Sequence, residues 1–394
     1  MRPQGKELAL ARILTLAGTS LCGVLIFAQA RQDVASATQE RSEMETLLVE
    51  GSSNLQQGDD AGAEKAFRQA LTLAPRSTEI LNNLAISLVK QGKLTEAIPF
   101  YRRALALKPG DMTTTRNLAL AYFKQQNFRQ ALPLLQELNK RQPGDFQALD
   151  LAGLSFFGLD QYPEAAKYLE RASRLQPSDL PTLYMLGQAY LRAADYQAVT
   201  DVFGRILAID ANSAEAHVMM GTAYDKMFQP SKALDEYLAA KQADPNFPGV
   251  HSGLGQIYWK QGQLDLAEPE FREELKRFPA DAVSNCLLGQ IVFGRNEVGE
   301  ARSLFLTALA ANSRYKEALF GLGKAEIKLG NPAKSLGPFR KAIQLDPNYF
   351  QAHYQLGNAL ALLGHKEEAK KEREICVSIQ AKQRAEYAKK LSQQ

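Results

Sequence analysis

The sequence predicts an all-α protein, an α-solenoid in which helix pairs stack one after another. Prolines recur at whole multiples of 34 residues, at Pro75, Pro109, Pro143, Pro177, Pro245, Pro279 and Pro347. Each period also holds two helix-length stretches whose apolar residues lie three or four positions apart, on one face of a helix. Because one helix pair cannot bury both apolar faces alone, each pair must pack against a neighbour.

The stretch Thr78–Asp111 shows one unit of this pattern. Its two helical stretches are separated by Gln91-Gly92-Lys93, and Pro109 closes the second stretch. The apolar faces are formed by Leu81, Leu84, Ala85 and Leu88 in the first stretch and by Ala97, Tyr101, Ala104 and Leu105 in the second.

Ten units align without gaps when each is numbered from 1 to 34 with proline at position 32: 44–77, 78–111, 112–145, 146–179, 180–213, 214–247, 248–281, 282–315, 316–349 and 350–383. Position 8 is always glycine or alanine and position 20 is mostly alanine. We therefore expect the two helices of a unit to approach closely, with position 20 facing position 8. Position 24 is large in nine units: Phe67, Tyr101, Leu135, Leu169, Phe203, Tyr237, Phe271, Phe305 and Phe339.

Turn and cap residues fall in the same register. Position 15, where the first helix should end in a left-handed residue, is Gly58, Gly92, Gly262, Gly330 or Gly364 in five units. Position 34 should cap the next first helix, and it is Ser77, Asp111, Asp145, Asp179, Ser213 or Asp281 in six units.

This pattern resembles the tetratricopeptide repeat (TPR) family, which has Leu-Gly at positions 7–8, aromatics at 11 and 24, alanines at 20 and 27 and proline at 32. The matching residues include Leu186, Gly187 and Tyr190 in one unit and Gly221, Tyr224, Ala233, Tyr237, Ala240 and Pro245 in the next. The resemblance covers Met44 to about Lys382. It implies antiparallel helix pairs stacked into a right-handed superhelix with a concave groove. The last unit departs at Arg373 and Cys376, which fits a polar terminal cap continued by a capping helix at 384–394.

The N-terminal residues 1–30 have the three parts of a secretory signal peptide. Met1–Arg12 is net basic, Ile13–Ala28 is uncharged and mostly apolar, and Ala28-Gln29-Ala30 supplies a small-x-small cleavage site. We expect cleavage after Ala30, a polar linker at 31–43, and an exported protein whose repeats work in the periplasm or outside the cell. The alternative is an uncleaved membrane anchor that leaves the repeats outside the cytoplasm.

Composition and motifs give no sign of catalysis, a cofactor or a metal. The net charge of +4 over 394 residues does not indicate a nucleic-acid partner. His217, His251 and His353 all fall at position 4, so we interpret them as packing residues. The run Phe320–Lys324 superficially resembles a phosphate-binding loop, but its glycines fall at helical positions and no strand precedes it. Three separated cysteines indicate no disulfide framework, and Cys286 and Cys376 fit buried core positions.

The resemblance implies that positions 2, 5, 9, 12 and 13 of each first helix face the groove, and we add the asparagines at position 6 of two early units. The predicted partner-binding residues are Asn82, Asn83, Lys90, Arg116, Asn117, Phe123, Lys124, Phe157, Tyr184, Gln188, Arg192, Lys226, Gln256, Trp259, Lys260, Gln290, Phe293, Phe320, Lys328, Tyr354 and Asn358. Amides can pair with a ligand backbone, aromatics bury apolar side chains, and lysines attract carboxylates. This surface suits an extended or helical, acidic–hydrophobic protein segment.

The carboxylate clamp of chaperone-binding relatives is not predicted, because no three consecutive units supply its Lys, Asn and Arg set. We therefore expect a non-catalytic interaction scaffold for another protein. The alternative is a carbohydrate- or cell-wall-associated assembly factor, in which the groove aromatics stack on sugar rings. Position 12 could equally pack between repeats, and the lysines could serve solubility alone.

Overall fold

The computed structural model describes residues 38–391, and every regular element in that part of the chain is an α-helix. The helices are α1 (38–57), α2 (Asp60–Leu73), α3 (Thr78–Lys90), α4 (Leu94–Leu107), α5 (Met112–Lys124), α6 (Phe128–Arg141), α7 (Phe146–Gly158), α8 (Tyr162–Leu175), α9 (Leu180–Arg192), α10 (Tyr196–Ile209), α11 (Ala214–Lys226), α12 (Pro230–Ala243), α13 (Val250–Lys260), α14 (Leu264–Arg277), α15 (Ala282–Gly294), α16 (Val298–Ala311), α17 (Lys316–Lys328), α18 (Pro332–Leu345), α19 (Phe350–Leu362) and α20 (Lys366–Leu391). Odd-numbered helices are the first helices of the pairs, and even-numbered helices are the second. The predicted all-α α-solenoid class is confirmed.

The predictions about the N-terminus lie outside the described residues. These are the signal peptide at 1–30, the cleavage after Ala30 and most of the linker. Within residues 38–391, no helix has both the length and the apolar character needed to cross a membrane.

The chain divides into two compact bodies, which we call the N-terminal half, ending at Ala189, and the C-terminal half, beginning at Tyr190. Successive helices from α2 to α8 and from α10 to α20 pack against one another, as α3 does with α4 and α11 does with α12. First helices of successive pairs also pack directly, α3 with α5 and α5 with α7 in the N-terminal half, and α11, α13, α15, α17 and α19 in the C-terminal half. Among the described helices, no two second helices make a comparable contact. The first helices therefore form the inner layer of each half.

The close approach of the two helices in a pair depends on glycine at position 8. A Cβ atom added at Gly51 would lie 2.6 Å from the ring of Phe67, and one added at Gly255 would lie 2.6 Å from the ring of Phe271. In these units the ring at position 24 is the group nearest to the glycine, and the alanines at position 20 are buried. Position 20 faces position 8, as expected, in the last unit, where a Cβ atom added at Gly357 would lie 3.2 Å from the backbone oxygen of Ala369.

The same ring reaches the first helix of the next pair. Tyr237 also contacts the site of Gly253, and Phe305 contacts that of Gly321, so that no Cβ fits at either position. Gly321 and Gly323 are thus helix-packing residues inside α17, consistent with the interpretation that Phe320–Lys324 is not a phosphate loop.

All ten residues at position 15 have a left-handed backbone. The predicted glycines have φ values from 74° to 83°. The other five units force a residue with a side chain into this conformation, at Gln126, Asp160, Ala194, Phe228 and Asn296, with φ from 57° to 70°. This conformation is unfavourable for residues with a Cβ atom. The repeat register predicts where the left-handed residue lies, but it does not predict that residues other than glycine adopt this conformation there.

The six predicted N-caps are confirmed, since each side chain accepts a hydrogen bond from the backbone N–H three residues ahead. Helix α13 starts two residues later than the other first helices, at Val250, after Gly249 in a left-handed conformation with φ of 86°. Its cap is supplied from the second helix of the same pair. Buried Glu274 accepts hydrogen bonds from the N–H groups of Gly249 (2.9 Å) and Ser252 (3.1 Å).

The histidines at position 4 are packing residues, as predicted, and each pairs with a glutamate at position 23 of the same unit. The Nδ1–Oε2 distances are 2.7 Å for His217–Glu236, 2.5 Å for His251–Glu270 and 2.6 Å for His353–Glu372. Among residues 38–391, no group of three or more His, Cys, Asp or Glu side chains could hold a metal ion. Cys286 and Cys376 are buried free thiols, as expected.

The last helix, α20, is continuous over 26 residues, whereas the other second helices have 14. Residues 384–391 are therefore the final turns of the tenth unit's second helix, with no break before them.

We predict that Gly323→Ala destabilises the protein, because the new methyl group would collide with the ring of Phe339. The free energy of unfolding should fall by about 1–3 kcal/mol. Gly337→Ala is the matched control in the same pair, since nothing lies within 4 Å of that site in α18. It should raise the free energy of unfolding by about 0.5–1 kcal/mol. Urea denaturation followed by circular dichroism measures both, and equal effects would contradict the assigned register.

Candidate ligand cleft

In the C-terminal half, four successive first helices, α11, α13, α15 and α17, line a cleft of about 1060 Å³. We call it the lysine–aromatic cleft. Its walls include Lys226, Gln256, Trp259, Lys260, Val283, Leu287, Gln290, Phe293, Glu317, Phe320, Lys324 and Lys328, with Tyr315 and Tyr349 from the ends of the helix pairs.

The cleft follows from the repeat register. Positions 12 and 13 end one first helix, position 9 lies a turn earlier, and positions 2 and 5 lie nearer its start, so all five share one helix face. The residues at positions 8 and 24 are buried between helices, whereas the face that carries positions 2, 5, 9, 12 and 13 is not covered by another helix. Of the predicted partner-binding residues, the structure brings together Lys226, Gln256, Trp259, Lys260, Gln290, Phe293, Phe320 and Lys328.

Two lysines lie over one aromatic ring inside the cleft. The Nζ atoms of Lys324 and Lys328 are 4.7 Å and 4.9 Å from the ring centroid of Phe293. Lys324 Nζ is also 5.6 Å from the ring centroid of Phe320. These distances permit cation–π attraction, which is worth about 0.5–1 kcal/mol at exposed sites. The rings thus hold two like charges close together.

The charges of the cleft are only partly balanced. Lys260 Nζ lies 2.7 Å and 2.6 Å from the two carboxylate oxygens of Asp225, so this predicted binding residue already has a partner. Lys226, Lys324 and Lys328 form no ion pair with a carboxylate in the part of the chain that the structure describes. A ligand that brings carboxylates would therefore meet uncompensated positive charge.

The surroundings of Lys324 shift its pKa. Burial lowers the pKa of the Lys324 ammonium below its ordinary 10.5, and repulsion from Lys328 lowers it further. Burial also raises the pKa of Tyr349 to about 12, and it raises the pKa of Tyr315 as well. Both phenols therefore stay protonated at neutral pH. Tyr315 is already hydrogen-bonded to the thiol of Cys286, whereas Tyr349 can donate a hydrogen bond to a ligand.

The glutamines of the cleft are partly engaged. Gln256 Nε2 donates to the backbone oxygen of Ser252 (3.2 Å), and Gln290 Nε2 lies 3.6 Å from the sulfur of buried Cys286. These contacts fix the amide groups, and the oxygen of each amide is the part best placed to accept a hydrogen bond from a ligand backbone.

A smaller cleft of about 540 Å³ adjoins the first, because Phe320 and Lys324 line both. Its other walls come from α19 and α20 and include the predicted residue Tyr354, which is 50% exposed. Asn358, also predicted, lies on α19 and accepts a hydrogen bond from Arg373 (3.3 Å).

Two of the predicted charged residues of the N-terminal half have other contacts. Lys90 donates to the backbone oxygen of Leu55 (3.2 Å) and lies 3.7 Å from Asp60, while Arg116 contacts Asp145 at 2.6 Å. The Lys90 contacts link neighbouring repeats, whereas Arg116 and Asp145 belong to the same repeat, and sequence reasoning did not identify either acidic partner. Lys124 in the same half and Arg192 at the start of the C-terminal half are exposed.

The predicted aromatics and amides of α3, α5, α7 and α9 are mostly half-buried. Phe123 packs against Phe128 with ring centroids 5.6 Å apart, and Phe157 packs against Tyr162 at 5.3 Å. Position 12 therefore serves packing there, which was the alternative interpretation. The remaining predicted residues, all half-buried, are Asn82, Asn83, Asn117, Tyr184 and Gln188.

Several cleft residues were missed from the sequence. Lys324 occupies position 9, where the last five repeats otherwise carry Thr222, Gln256, Gln290 and Asn358, and Val283 and Glu317 occupy position 2. Tyr315 and Tyr349 both occupy position 34, where the pattern indicated only a cap. Lys324, Val283 and Glu317 could have been predicted, because they occupy positions expected to face the groove. The two tyrosines could not, because position 34 is not one of those positions.

We predict that Lys328→Met raises the pKa of Lys324, because it removes the repulsion between the two ammonium groups. The pKa should stay below 10.5, since burial is the larger cause of the shift. Alkaline titration of ¹³C-methylated lysines by NMR measures this value. Lys334→Met, which removes an exposed lysine on α18, is the control and should leave the Lys324 pKa unchanged.

Comparisons with known proteins agree with the repeat register. A family model described as tetratricopeptide repeat matches residues 48–111, 151–214, 218–282 and 286–350, and two further models of that repeat match 88–153 and 339–371. No curated protein sequence matches the chain.

Three of the similar solved structures are described below. One from Parabacteroides merdae is 19% identical, with a TM-score of 0.42, and the match covers 64% of this chain and 99% of that one. YrrB, described as a TPR protein with an unusual peptide-binding site, is 20% identical, with coverages of 51% and 100% and a TM-score of 0.43. MamA from Desulfovibrio magneticus is 19% identical, with coverages of 43% and 97% and a TM-score of 0.41. The family matches cover more than half of the sequence, and the chain belongs to the tetratricopeptide repeat family.

Proposed function

We propose that this protein is a non-catalytic interaction scaffold that holds an acidic–hydrophobic segment of another protein in the lysine–aromatic cleft. The observation that carries the proposal is the presence of Lys226, Lys324 and Lys328, without carboxylate partners among the described residues, beside aromatic rings in one cavity. Family membership supports it, because tetratricopeptide repeats generally serve protein–protein interaction.

The chemistry of the cleft selects its ligand by charge and by apolar contact. Carboxylates of the segment would relieve the repulsion between Lys324 and Lys328, and this gain is largest where the lysines are partly buried. Apolar side chains of the segment would cover Trp259 and Leu287. Amide oxygens of Gln256 and Gln290 would accept hydrogen bonds from its backbone irrespective of sequence.

A glycan ligand is the second candidate, because the cleft holds several aromatic rings. Sugar stacking needs an open ring face, and the ammonium groups of Lys324 and Lys328 already lie over Phe293. The cleft therefore supports a carboxylate-bearing polypeptide better than a neutral sugar.

The binding test uses Trp259 as its probe, because it is the only tryptophan of the chain and lines the cleft. The ligand is a synthetic peptide that repeats Asp-Phe-Ser four times. We predict saturable quenching or a spectral shift of the Trp259 fluorescence, and roughly tenfold weaker binding when Lys226, Lys324 and Lys328 are all changed to glutamine.

The control variant changes Lys334, Lys341 and Lys382 to glutamine, which alters the net charge equally at exposed positions outside the cleft. It should retain the affinity of the unmodified protein. Equal weakening by both triple variants would show a non-specific charge effect and contradict the proposal.

We further propose that the scaffold works outside the cytoplasm, in the periplasm or in the secreted state. The support is the basic start, apolar middle and small-x-small end of residues 1–30. We predict that the mature protein begins at Arg31, as measured by N-terminal sequencing of protein from the exported fraction. An intact start at Met1 in that fraction would instead support the anchored alternative.

A further inference from the structure

Phe228 combines two unfavourable features in the turn between α11 and α12. Its side chain is 92% exposed, and its backbone is left-handed with φ of 58°. The turn is well fixed, because the N–H of Phe228 donates to the oxygen of Asp225 (3.1 Å) and that of Gln229 donates to the oxygen of Tyr224 (2.9 Å). The aromatic ring is thus presented to solvent on a rigid frame.

The equivalent turns show that the fold does not require an aromatic residue there. Position 15 is glycine in five units, and in the others it is Gln126, Asp160, Ala194 or Asn296. Only Phe228 is both large and apolar. The left-handed conformation disfavours a bulky side chain, and exposure of the ring to water gains nothing from the hydrophobic effect. Neither local conformation nor packing accounts for this residue.

The turn lies beside one end of the lysine–aromatic cleft. Lys226, which lines the cleft, precedes Phe228 by two residues, so their Cα atoms are at most about 7.6 Å apart. Asp225 is engaged by Lys260, which leaves Lys226 as the uncompensated charge next to the ring. A cation and an apolar surface therefore stand side by side where the cleft opens at α11.

We propose that Phe228 is an apolar anchor for the acidic–hydrophobic segment that occupies the cleft. An apolar side chain of that segment packs on the ring of Phe228, beside a carboxylate that meets Lys226. The proposal rests on the proposed function and adds a contact outside the cavity. The rigid turn favours the contact, because little conformational freedom is lost when the ring is covered.

The test is Phe228→Gly in the full chain, because the proposal predicts opposite shifts in two measurements. The midpoint of urea denaturation should rise, since glycine adopts the left-handed conformation without strain. The dissociation constant for the Asp-Phe-Ser peptide, measured by Trp259 fluorescence, should increase roughly tenfold because the apolar contact is lost. Ala194→Gly is the matched control, with φ of 61° at the same position. It should raise the midpoint and leave the dissociation constant unchanged.

Phe228→Leu separates the apolar contact from backbone effects. It keeps an apolar side chain and the left-handed strain, so it should retain most of the affinity and the original denaturation midpoint. An unchanged dissociation constant in Phe228→Gly, together with weaker binding by the triple lysine variant, would overturn the anchor and leave the proposed function standing. No peptide binding by the unmodified protein would overturn both.

Two further outcomes would assign the ring to another occupant and overturn the anchor. One is a loss of binding to vesicles of phosphatidylcholine and phosphatidylglycerol in Phe228→Gly while peptide affinity stays unchanged. The other is a loss of concentration-dependent self-association with the same unchanged affinity, which would show that the ring contacts a second copy of this chain.

Discussion

The rest of the structure depends on the large side chain at position 24, which in five units is an aromatic ring lying over the glycine at position 8. Phe271 does this to Gly255, and Tyr237 extends the contact to Gly253 of the following pair. Because one ring fixes three helices, the register of each repeat constrains the next, and stability should depend on neighbouring pairs. The contact also decides which first-helix positions stay uncovered, and those positions form the lysine–aromatic cleft.

The cleft gathers features that stability alone does not explain. Lys324 and Lys328 repel one another over Phe293, and Phe228 keeps an exposed ring on a strained backbone. In the N-terminal half, by contrast, Lys90 and Arg116 have carboxylate partners in Asp60 and Asp145. This contrast within one chain supports a ligand site in the C-terminal half. There a carboxylate-bearing segment would pair with the lysines that have no carboxylate partner among the described residues.

The period made the fold, the unit boundaries, the N-caps and the turn positions predictable, because each depends on residues close in sequence. Contacts across helices were less predictable. The pairing of His251 with Glu270 could have been found from its 19-residue spacing, which His217 and His353 share with their glutamates. The capping of α13 by Glu274 could not, because Glu274 lies in another helix and the register gives no sign of the late start of α13. Within the cleft, the register identified faces, but it could not show that Asp225 neutralises Lys260 while Lys324 stays unpaired.

The central claim is that a polypeptide with acidic and apolar side chains lies across the first helices of the C-terminal half. In-cell photo-cross-linking tests it most directly, with benzoylphenylalanine placed at Gln290 in the cleft or at Thr307 on the second helix α16. The account predicts that only the Gln290 position forms adducts with a defined segment, and that mass spectrometry finds carboxylates beside apolar residues in that segment. The same adducts from both positions, or a cross-linked segment without acidic residues, would contradict it.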